Sequence, residues 1–317
     1  MIFDLLILLF GFVILIKGAD WLVDGSSALA RKYSIPELAI GLTIVAFGTS
    51  MPEFVVNSFA AYKSYSDIVF GNIIGSNIFN LFAILGVAGL ITPISVQSVT
   101  VWKEIPMSLF AALLLFLLAN SFVSDSQVLS RIDGIILLFF FCLFLYYVFL
   151  QLKNDSIPLD VNHKELSNLK IILFIILGLA FLIAGGRIVV DRSVKIAEFL
   201  GVSQTIIGLT IVAAGTSLPE LATSVVAAIK KNNDIAVGNI IGSNIFNIFF
   251  ILGVSAMIRP VSYNVKFNSA IYLLVVGTLL LFLAMFSGKK KKFDRWEAGV
   301  FLLIYIGYTV FLIRHEI

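Results

Sequence analysis

Two glutamates inside apolar stretches are the residues of this sequence best suited to do chemistry. Glu53 ends the segment GLTIVAFGTSMPE, residues 41–53, and Glu220 ends the similar segment GLTIVAAGTSLPE, residues 208–220. An ionised carboxylate near the centre of a membrane costs roughly 3 kcal/mol. Two such groups repel each other unless a cation lies between them or they bind protons. A purely structural role would not explain why both glutamates occur at the same position of a repeated motif. We therefore predict a cation site.

A proline precedes each glutamate and predicts a break in the helix. Pro52 and Pro219 cannot donate a backbone hydrogen bond, so each leaves a carbonyl one turn earlier without its helical partner and loosens the neighbouring threonine. Free carbonyls are tolerated within a membrane only where they line a cavity or meet an ion. A simple kink would explain one copy, but two copies with a glutamate attached predict discontinuous helices that supply backbone oxygens.

The predicted ligands are all oxygens, which indicates the class of cation. Two bidentate carboxylates and two threonine carbonyls would give about six flexible oxygens, a set that suits calcium better than magnesium. Zinc and copper are not expected, because Cys142 is a lone thiol and His163 and His315 fall in a loop and at the C-terminus. The predicted calcium ligands are Glu53, Glu220, Thr49 and Thr216.

A second repeated motif adds a polar face to an apolar segment. The sequence GNIIGSNIFN occupies residues 71–80 and returns unchanged at 238–247. In the first copy, Asn72, Ser76 and Asn80 are four residues apart and share one helix face. Alternatively, these residues hold neighbouring helices together through interhelical hydrogen bonds. The GxxxG sequence in each copy permits close approach of two helices. Smaller oxygen sites, suited to sodium or to protons carried on the glutamates, could be offered by Ser50, Ser76, Ser217 and Ser243.

The composition predicts an all-α integral membrane protein. Hydrophobic residues make up 60% of the 317 residues and charged residues only 13%, about half of the usual share in soluble domains. The net charge of +3 does not indicate nucleic acid binding, and one cysteine excludes an internal disulfide framework. Ten apolar runs are long enough to span a bilayer, at about 3–30, 36–62, 67–91, 102–121, 131–151, 169–198, 203–229, 234–258, 267–286 and 296–314.

The sequence also divides into two halves that repeat each other. The motifs at 41–80 return at 208–247 with a constant offset, so we predict a first repeat over 1–151, a short linker over 152–168 and a second repeat over 169–317. An odd number of spans in each half forces the halves into opposite orientations. The expected fold has ten transmembrane helices in two inverted five-helix repeats, with the site near the midplane.

The loops carry a moderate charge bias that predicts the orientation in the membrane. Lysine and arginine are more numerous in the set of loops that includes the linker. The positive-inside rule then places the linker in the cytoplasm and both termini outside the cell. The expected location is the plasma membrane.

The paired GTSMPE and GTSLPE motifs, with GNIIGSNIFN twice, resemble the alpha repeats of the sodium/calcium exchanger family, in a prokaryotic-type member of the calcium/cation antiporter superfamily. The resemblance implies a core of helices 2, 3, 7 and 8, across which helices 1 and 6 slide. It implies calcium between the two glutamates and the two threonine carbonyls, with Asn80 and Asn247 lining the centre. The sodium ligands implied by the resemblance are Ala46, Ser50, Ser76, Ala213, Ser217 and Ser243.

One position departs from the family pattern. Many sodium/calcium exchangers carry an aspartate where this chain has Asn247. The centre therefore keeps two carboxylates rather than three, which makes potassium coupling less expected. The short linker has no room for large regulatory calcium-binding domains.

The function predicted from these features is antiport of calcium against sodium by alternating access. A calcium/proton antiporter of the same fold is the alternative, and a cation channel is a less favoured one. An enzyme is not expected, because no nucleophile and base arrangement is present. We expect no cofactor, no nucleic acid partner, and a protein that works as a monomer with calcium, sodium and the lipid bilayer as its partners.

Overall fold

The computed structural model describes residues 2–120, 127–154, 166–201, 213–287 and 291–316. The regular structure within these ranges is helical, apart from two short antiparallel strand pairs, Ile94–Ser95 with Lys292–Phe293 and Val128–Leu129 with Val261–Ser262. The helices, in chain order, are α1 (Ile2–Lys32), α2 (Glu37–Thr49), α3 (Met51–Tyr62), α4 (Ser66–Ile91), α5 (Thr100–Ala119), α6 (Arg131–Asn154), α7 (Asn168–Phe199), α8 (Ala213–Gly215), α9 (Leu218–Ile229), α10 (Asn233–Ile258), α11 (Val265–Ala284) and α12 (Arg295–Glu316).

The long helices identify a multi-pass membrane protein. Eight of the described helices are long and apolar enough to cross a bilayer, and the bent pair of α2 and α3 brings the number to as many as nine. These helices begin and end within a few residues of the predicted apolar runs. The remaining run, 203–229, falls partly outside the described residues, and its described part is the short α8 and the twelve-residue α9. The predicted linker, 152–168, also lies mostly outside the described residues.

The most buried spans are α4 and α10, which carry the two copies of the second motif. Helices α1, α6, α7 and α12 lie outside them and expose large apolar side chains along their lengths. Such exposed apolar surface is stable only in lipid. The fold therefore encloses the repeated polar motifs in an apolar shell.

Helices α1 and α7 cross in antiparallel directions through paired glycines. A Cβ atom added to Gly18 would lie 2.8 Å from the Gly178 carbonyl oxygen, and one added to Gly185 would lie 3.0 Å from the Gly11 carbonyl oxygen. Gly11 is the repeat counterpart of Gly178, and Gly18 is the counterpart of Gly185. Gly18 thus contacts Gly178, and their counterparts Gly185 and Gly11 contact each other in the same way. A two-fold axis between the equivalent helices requires this arrangement.

This crossing leads to a prediction about stability. Replacing Gly18 by alanine places a methyl group against the backbone of α7, so the helices must separate, at a cost of about 1–3 kcal/mol. The matched control is Gly307→Ala, because an added Cβ there meets no described atom within 4 Å. We expect thermal unfolding, followed by the loss of monodisperse protein, at a lower temperature for Gly18→Ala alone. Equal unfolding temperatures of the two variants would contradict the close crossing.

The second GxxxG motif brings α10 against α2. A Cβ on Gly238 would lie 2.9 Å from the Leu42 amide nitrogen, and one on Gly242 would lie 2.9 Å from the Ala46 Cβ. The close approach predicted for this motif is therefore present. The residues that would face the first GxxxG in the same way, 208–213, lie almost entirely outside the described ranges.

Candidate ion-binding site

Both proline-containing segments are broken helices, as their sequences predict. Helix α2 ends at Thr49 and α3 begins at Met51, and the two axes differ by 49°. In the second copy, α8 ends at Gly215 and α9 begins at Leu218. Each break therefore places one helix C-terminus and one helix N-terminus at the same point inside the apolar shell.

The breaks expose backbone groups and bring the glutamates to them. The last carbonyls of one helix and the first amides of the next have no partner within their own helix. Glu53 lies in the first turn of α3, and Glu220 lies in the first turn of α9. The positive end of a helix dipole favours a negative charge there. Each carboxylate is thus stabilised by its own helix end although both are fully buried.

The two glutamates are bound by serines from the opposite half of the chain. Ser217 donates a hydrogen bond to Glu53 Oε1 at 2.8 Å, and Ser50 donates one to Glu220 Oε1 at 2.9 Å. The second oxygen, Oε2, of each glutamate has no hydrogen-bond partner among the described residues. One acceptor of each carboxylate is therefore occupied and the other is open.

Two further serines, from α4 and α10, complete the surroundings of the carboxylates. Ser76 Oγ lies 3.0 Å from Ser217 Oγ and 3.4 Å from Glu53 Oε1. Ser243 Oγ lies 3.0 Å from Ser50 Oγ. The structure thus places two of the four serines selected from the sequence beside each glutamate, and the two pairs are together called the serine cluster.

The central asparagines each present one unpaired oxygen. Asn80 and Asn247 lie in π-helical turns of α4 and α10 and are buried. The Asn80 side-chain nitrogen donates to Asn244 Oδ1 at 3.1 Å, and that of Asn247 donates to Asn77 Oδ1 at 2.9 Å. The Oδ1 atoms of Asn80 and Asn247 have no partner within the described ranges. These π-helical turns therefore supply two neutral oxygens, and such turns are frequent at functional sites.

The threonines at the two helix breaks are hydrogen-bonded to the opposite half of the chain. Thr49 donates through its hydroxyl to Asn239 Oδ1 at 3.0 Å, and Thr216 donates to Asn72 Oδ1 at 3.3 Å. These bonds use the hydroxyl hydrogens and fix the threonines beside the breaks, where their backbone carbonyls are the predicted calcium ligands. Asn72 and Asn239 support the helix breaks.

The two alanines of the predicted sodium sites would offer only backbone oxygens. Ala46 is fully buried in α2, and its carbonyl accepts the Ser50 amide at 3.0 Å. Ala213 is the first residue of α8, four positions before Ser217. Both alanines thus belong to the helix turn that leads into a break.

Together these groups form a candidate site for a hard cation. Buried polar atoms are normally hydrogen-bonded. Within this set of groups, one oxygen on each of the two acids and on each of the two central amides has no hydrogen-bond partner in the part of the chain described. The donor set contains oxygens alone, which favours calcium, sodium or protons over zinc or copper. One oxygen of each carboxylate accepts a serine hydroxyl, and both oxygens keep lone pairs for a cation.

Sequence reasoning missed Asn77 and Asn244. These residues lie off the polar face defined by every fourth residue, so the helical spacing did not select them. They are nevertheless buried and bonded to the central asparagines. The signal available in the sequence was the complete identity of the ten-residue motif in both copies.

Comparisons with known proteins cover both halves of the chain. The family model for sodium/calcium exchanger proteins matches twice, over residues 3–150 and 170–314. The putative antiporter CaxA of Alkalimonas amylolytica is 40% identical, over 96% of this chain and 97% of its own length. The sodium/calcium exchanger MaX1 of Methanosarcina acetivorans is 33% identical, over 98% of each chain. A solved structure of the sodium-calcium exchanger NCX_Mj without sodium and calcium matches with a TM-score of 0.82 at 34% identity, over 98% of this chain and 99% of that one.

Proposed function

Because the chain belongs to the sodium/calcium exchanger family, we propose that this membrane antiporter exchanges calcium specifically for sodium. The observation that carries the proposal is the pair of buried glutamates, each hydrogen-bonded by a serine of the opposite half and each keeping one open oxygen. Two carboxylates neutralise one calcium ion, and oxygen ligands of mixed type suit its flexible coordination. The same acids can instead be neutralised by monovalent ions.

We assign the ligands as follows. Calcium is bound by Glu53 and Glu220 with the carbonyls of Thr49 and Thr216, and Asn80 and Asn247 line the centre. Sodium uses the glutamate oxygens with neighbouring hydroxyls and carbonyls. The sodium ligands in this proposal are Ala46, Ser50, Ser76, Ala213, Ser217 and Ser243. The proposal is supported by the burial of both acids and by the serine cluster around them.

We further propose ten transmembrane helices in two inverted five-helix repeats, over 1–151 and 169–317. The tenth span would join α8 and α9 to the residues before them. The antiparallel crossing of α1 and α7 supports this proposal, because equivalent helices of inverted repeats must run in opposite directions. The exchange of serine–glutamate bonds between the halves supports it as well.

Alternating access is proposed as the transport mechanism, and a structural asymmetry supports it. Along α9, Ala222 and Val226 pack against an apolar cluster that includes α1. Their repeat counterparts on α3, Val55 and Phe59, are each 60% exposed, and α7 does not cover them. Helix α1 therefore covers α9, whereas α7 leaves the equivalent face of α3 exposed. Movement of α1 and α7 across the core would reverse this relation.

Competition for the glutamates couples the two ions in this proposal. Calcium and sodium both need the charges of Glu53 and Glu220, so the site holds one cargo or the other. The long helices move only when the acids are neutralised, because unpaired buried charges are costly to carry through an apolar environment. We also propose a plasma membrane location with both termini outside, supported by the charge bias of the loops.

Reconstituted protein provides the test of sodium coupling. Proteoliposomes loaded with sodium and diluted into sodium-free medium should take up ⁴⁵Ca²⁺, with saturation kinetics and a requirement for internal sodium. A pH gradient without sodium should drive little uptake. Calcium uptake driven by the pH gradient alone would favour the calcium/proton antiporter, and non-saturating flux without a counter-ion would indicate a channel.

A further inference from the structure

Asn77 and Asn244 join α4 to α10 in the middle of the protein. The Asn77 side-chain nitrogen donates to the Asn244 backbone carbonyl at 3.2 Å, and the Asn244 nitrogen donates to the Asn77 carbonyl at 3.4 Å. A backbone carbonyl can only accept a hydrogen bond, so these two bonds fix which end of each amide is the nitrogen. The Oδ1 atom of each residue must therefore point the other way.

These fixed oxygens in turn orient the central asparagines. Asn77 Oδ1 accepts from the Asn247 side-chain nitrogen at 2.9 Å, and Asn244 Oδ1 accepts from that of Asn80 at 3.1 Å. An oxygen acceptor selects the NH₂ end of its neighbour's amide. The Oδ1 atoms of Asn80 and Asn247 are then left without a partner among the described residues.

We propose that Asn77 and Asn244 are positioning residues that make Asn247 and Asn80 present oxygen, rather than NH₂, to the bound cation. The inference rests on the proposed function, because it requires a cation beside Asn80 and Asn247. An amide that turns its NH₂ end to a cation repels it, so free rotation of these side chains weakens binding. Each positioning residue acts through one partner only: Asn77 through Asn247, and Asn244 through Asn80.

A double-mutant cycle tests this pairing, with the KM for calcium in proteoliposomes as the readout. Asn77→Ala and Asn247→Ala should each raise the KM about tenfold, the effect of losing one hydrogen-bonded group at a charged ligand. The double variant should also show about a tenfold increase, since Asn77 has no further effect once its partner is gone. Asn77→Ala with Asn80→Ala is the control and should show about a hundredfold increase. In the same cycle with Asn244→Ala, the double variant with Asn80→Ala should show about a tenfold increase and the one with Asn247→Ala about a hundredfold increase.

If the increases in KM multiplied in the Asn77/Asn247 double variant as well as in the Asn77/Asn80 double variant, the inference would be overturned. Asn77 would then be a structural residue only. A wild-type protein that transports no calcium would refute the proposed function instead, so the two failures are distinguishable. Only variants that elute as monodisperse protein are compared. If Asn77→Ala does not fold, Asn77→Ser and the independent Asn244 cycle keep the test decisive.

A group of ion pairs joins the end of α9 to α1, away from the candidate ion site. Lys230 Nζ lies 2.5 Å from Asp20 Oδ1 and 2.7 Å from Asp24 Oδ1, both on α1. Burial alone would lower the pKa of Lys230, but hydrogen bonds to the two aspartates raise the pKa above its ordinary value. The ammonium group is therefore charged at physiological pH. Asn232 adds a hydrogen bond to Ser27 of α1 at 2.7 Å.

The equivalent contact in the other half is open. Lys63 is the repeat counterpart of Lys230, and Asp191 is the counterpart of Asp24, whereas Arg187 stands at the position of Asp20. No ion pair of Lys63 occurs within the described ranges, and its ammonium group lies over the rings of Phe59 and Tyr62. Asp191 is 58% exposed and lies 3.9 Å from Arg187 of its own helix. The open contact is on the side where α7 leaves α3 uncovered.

We infer that Lys230 with Asp20 and Asp24 forms a latch that holds α1 against α9 in the state described. In the oppositely facing state, Lys63 with Asp191 forms the corresponding latch, which has a single carboxylate. This inference rests on the proposed alternating access. In inverted repeats, each half adopts the other's conformation when the protein changes state, so a closed contact opens and its counterpart closes. Two weak latches would bias the states without locking either of them.

Cysteine labelling tests the latches directly. In a Cys142→Ala background, which removes the exposed native thiol, Val55→Cys reports opening of α3 and Ala222→Cys reports opening of α9. Lys230→Gln should raise the labelling rate of the α9 reporter about threefold to fivefold with a water-soluble maleimide, and should lower that of the α3 reporter. Lys63→Gln is the matched variant and should shift both rates in the opposite direction.

Unchanged rates, or shifts in the same direction for both lysine variants, would overturn the latch. Labelling of purified protein does not require transport. If the labelling rates shift as predicted but sodium drives no calcium uptake, sodium coupling is refuted and the latch is still supported.

Discussion

Replacement of Glu53 or Glu220 by glutamine is expected to lower the initial rate of calcium transport by at least about a hundredfold. Glutamine keeps the shape of the side chain but removes one of the two negative charges that neutralise the cation. The lost charge lies in a fully buried site, where removing one member of an interacting charged set costs about 3–5 kcal/mol. Sodium-driven ⁴⁵Ca²⁺ uptake into proteoliposomes, at equal protein content, measures the effect.

The matched control for this prediction is Glu104→Gln. Glu104 is also a fully buried glutamate, with one oxygen bonded to Tyr147 and Gln151 and the other without a partner in the part of the chain described. It lies in α5, outside the serine cluster, so its charge is not required for the cargo. Its variant should retain transport. Retained transport in both site variants would refute the site assignment.

The second large effect is expected from the serines that bind the glutamates. Ser50→Ala or Ser217→Ala should raise the sodium concentration needed for half-maximal exchange about tenfold, because each removes a proposed sodium ligand and the donor to Glu220 or Glu53. The KM for calcium should change less, since the divalent ion draws most of its binding energy from the two charges. Exchange rates measured against sodium and calcium concentrations separate the two effects.

Ser255→Ala is the control for the serine variants. Ser255 is equally buried but donates to the Ile251 carbonyl within α10, four residues away. Its loss should leave both half-maximal concentrations unchanged. If Ser50→Ala weakened calcium and sodium equally, the serines would be supports for the glutamates and not sodium ligands.

Local physical chemistry made much of the fold predictable. Hydropathy places the spans because the bilayer requires about twenty apolar residues for a helix, and nine of the ten runs match described helices closely. The breaks near Pro52 and Pro219 were predictable because a proline lacks the amide that the carbonyl four residues earlier needs in a continuous helix. The motif resemblance to the sodium/calcium exchanger family is confirmed by the family match over both halves.

Contacts between distant residues were not predictable in the same way. Ser50 and Glu220 are far apart in the chain, and only the packing of the two halves shows that they share a hydrogen bond. The hydrogen bonds of Asn77 and Asn244 depend on the direction of side-chain amides, which helical spacing does not determine. Within the described ranges, Lys230 is ion-paired and its counterpart Lys63 is not, a difference between the halves that a duplicated sequence does not specify.

The central claim is that calcium and sodium compete for Glu53 and Glu220. Isothermal titration of purified protein with calcium, repeated at increasing sodium concentration, tests the claim most directly. We predict that the apparent Kd for calcium rises steeply with sodium while the number of calcium sites stays constant, and that Glu53→Gln abolishes binding. A calcium Kd that does not change with sodium would contradict the shared site.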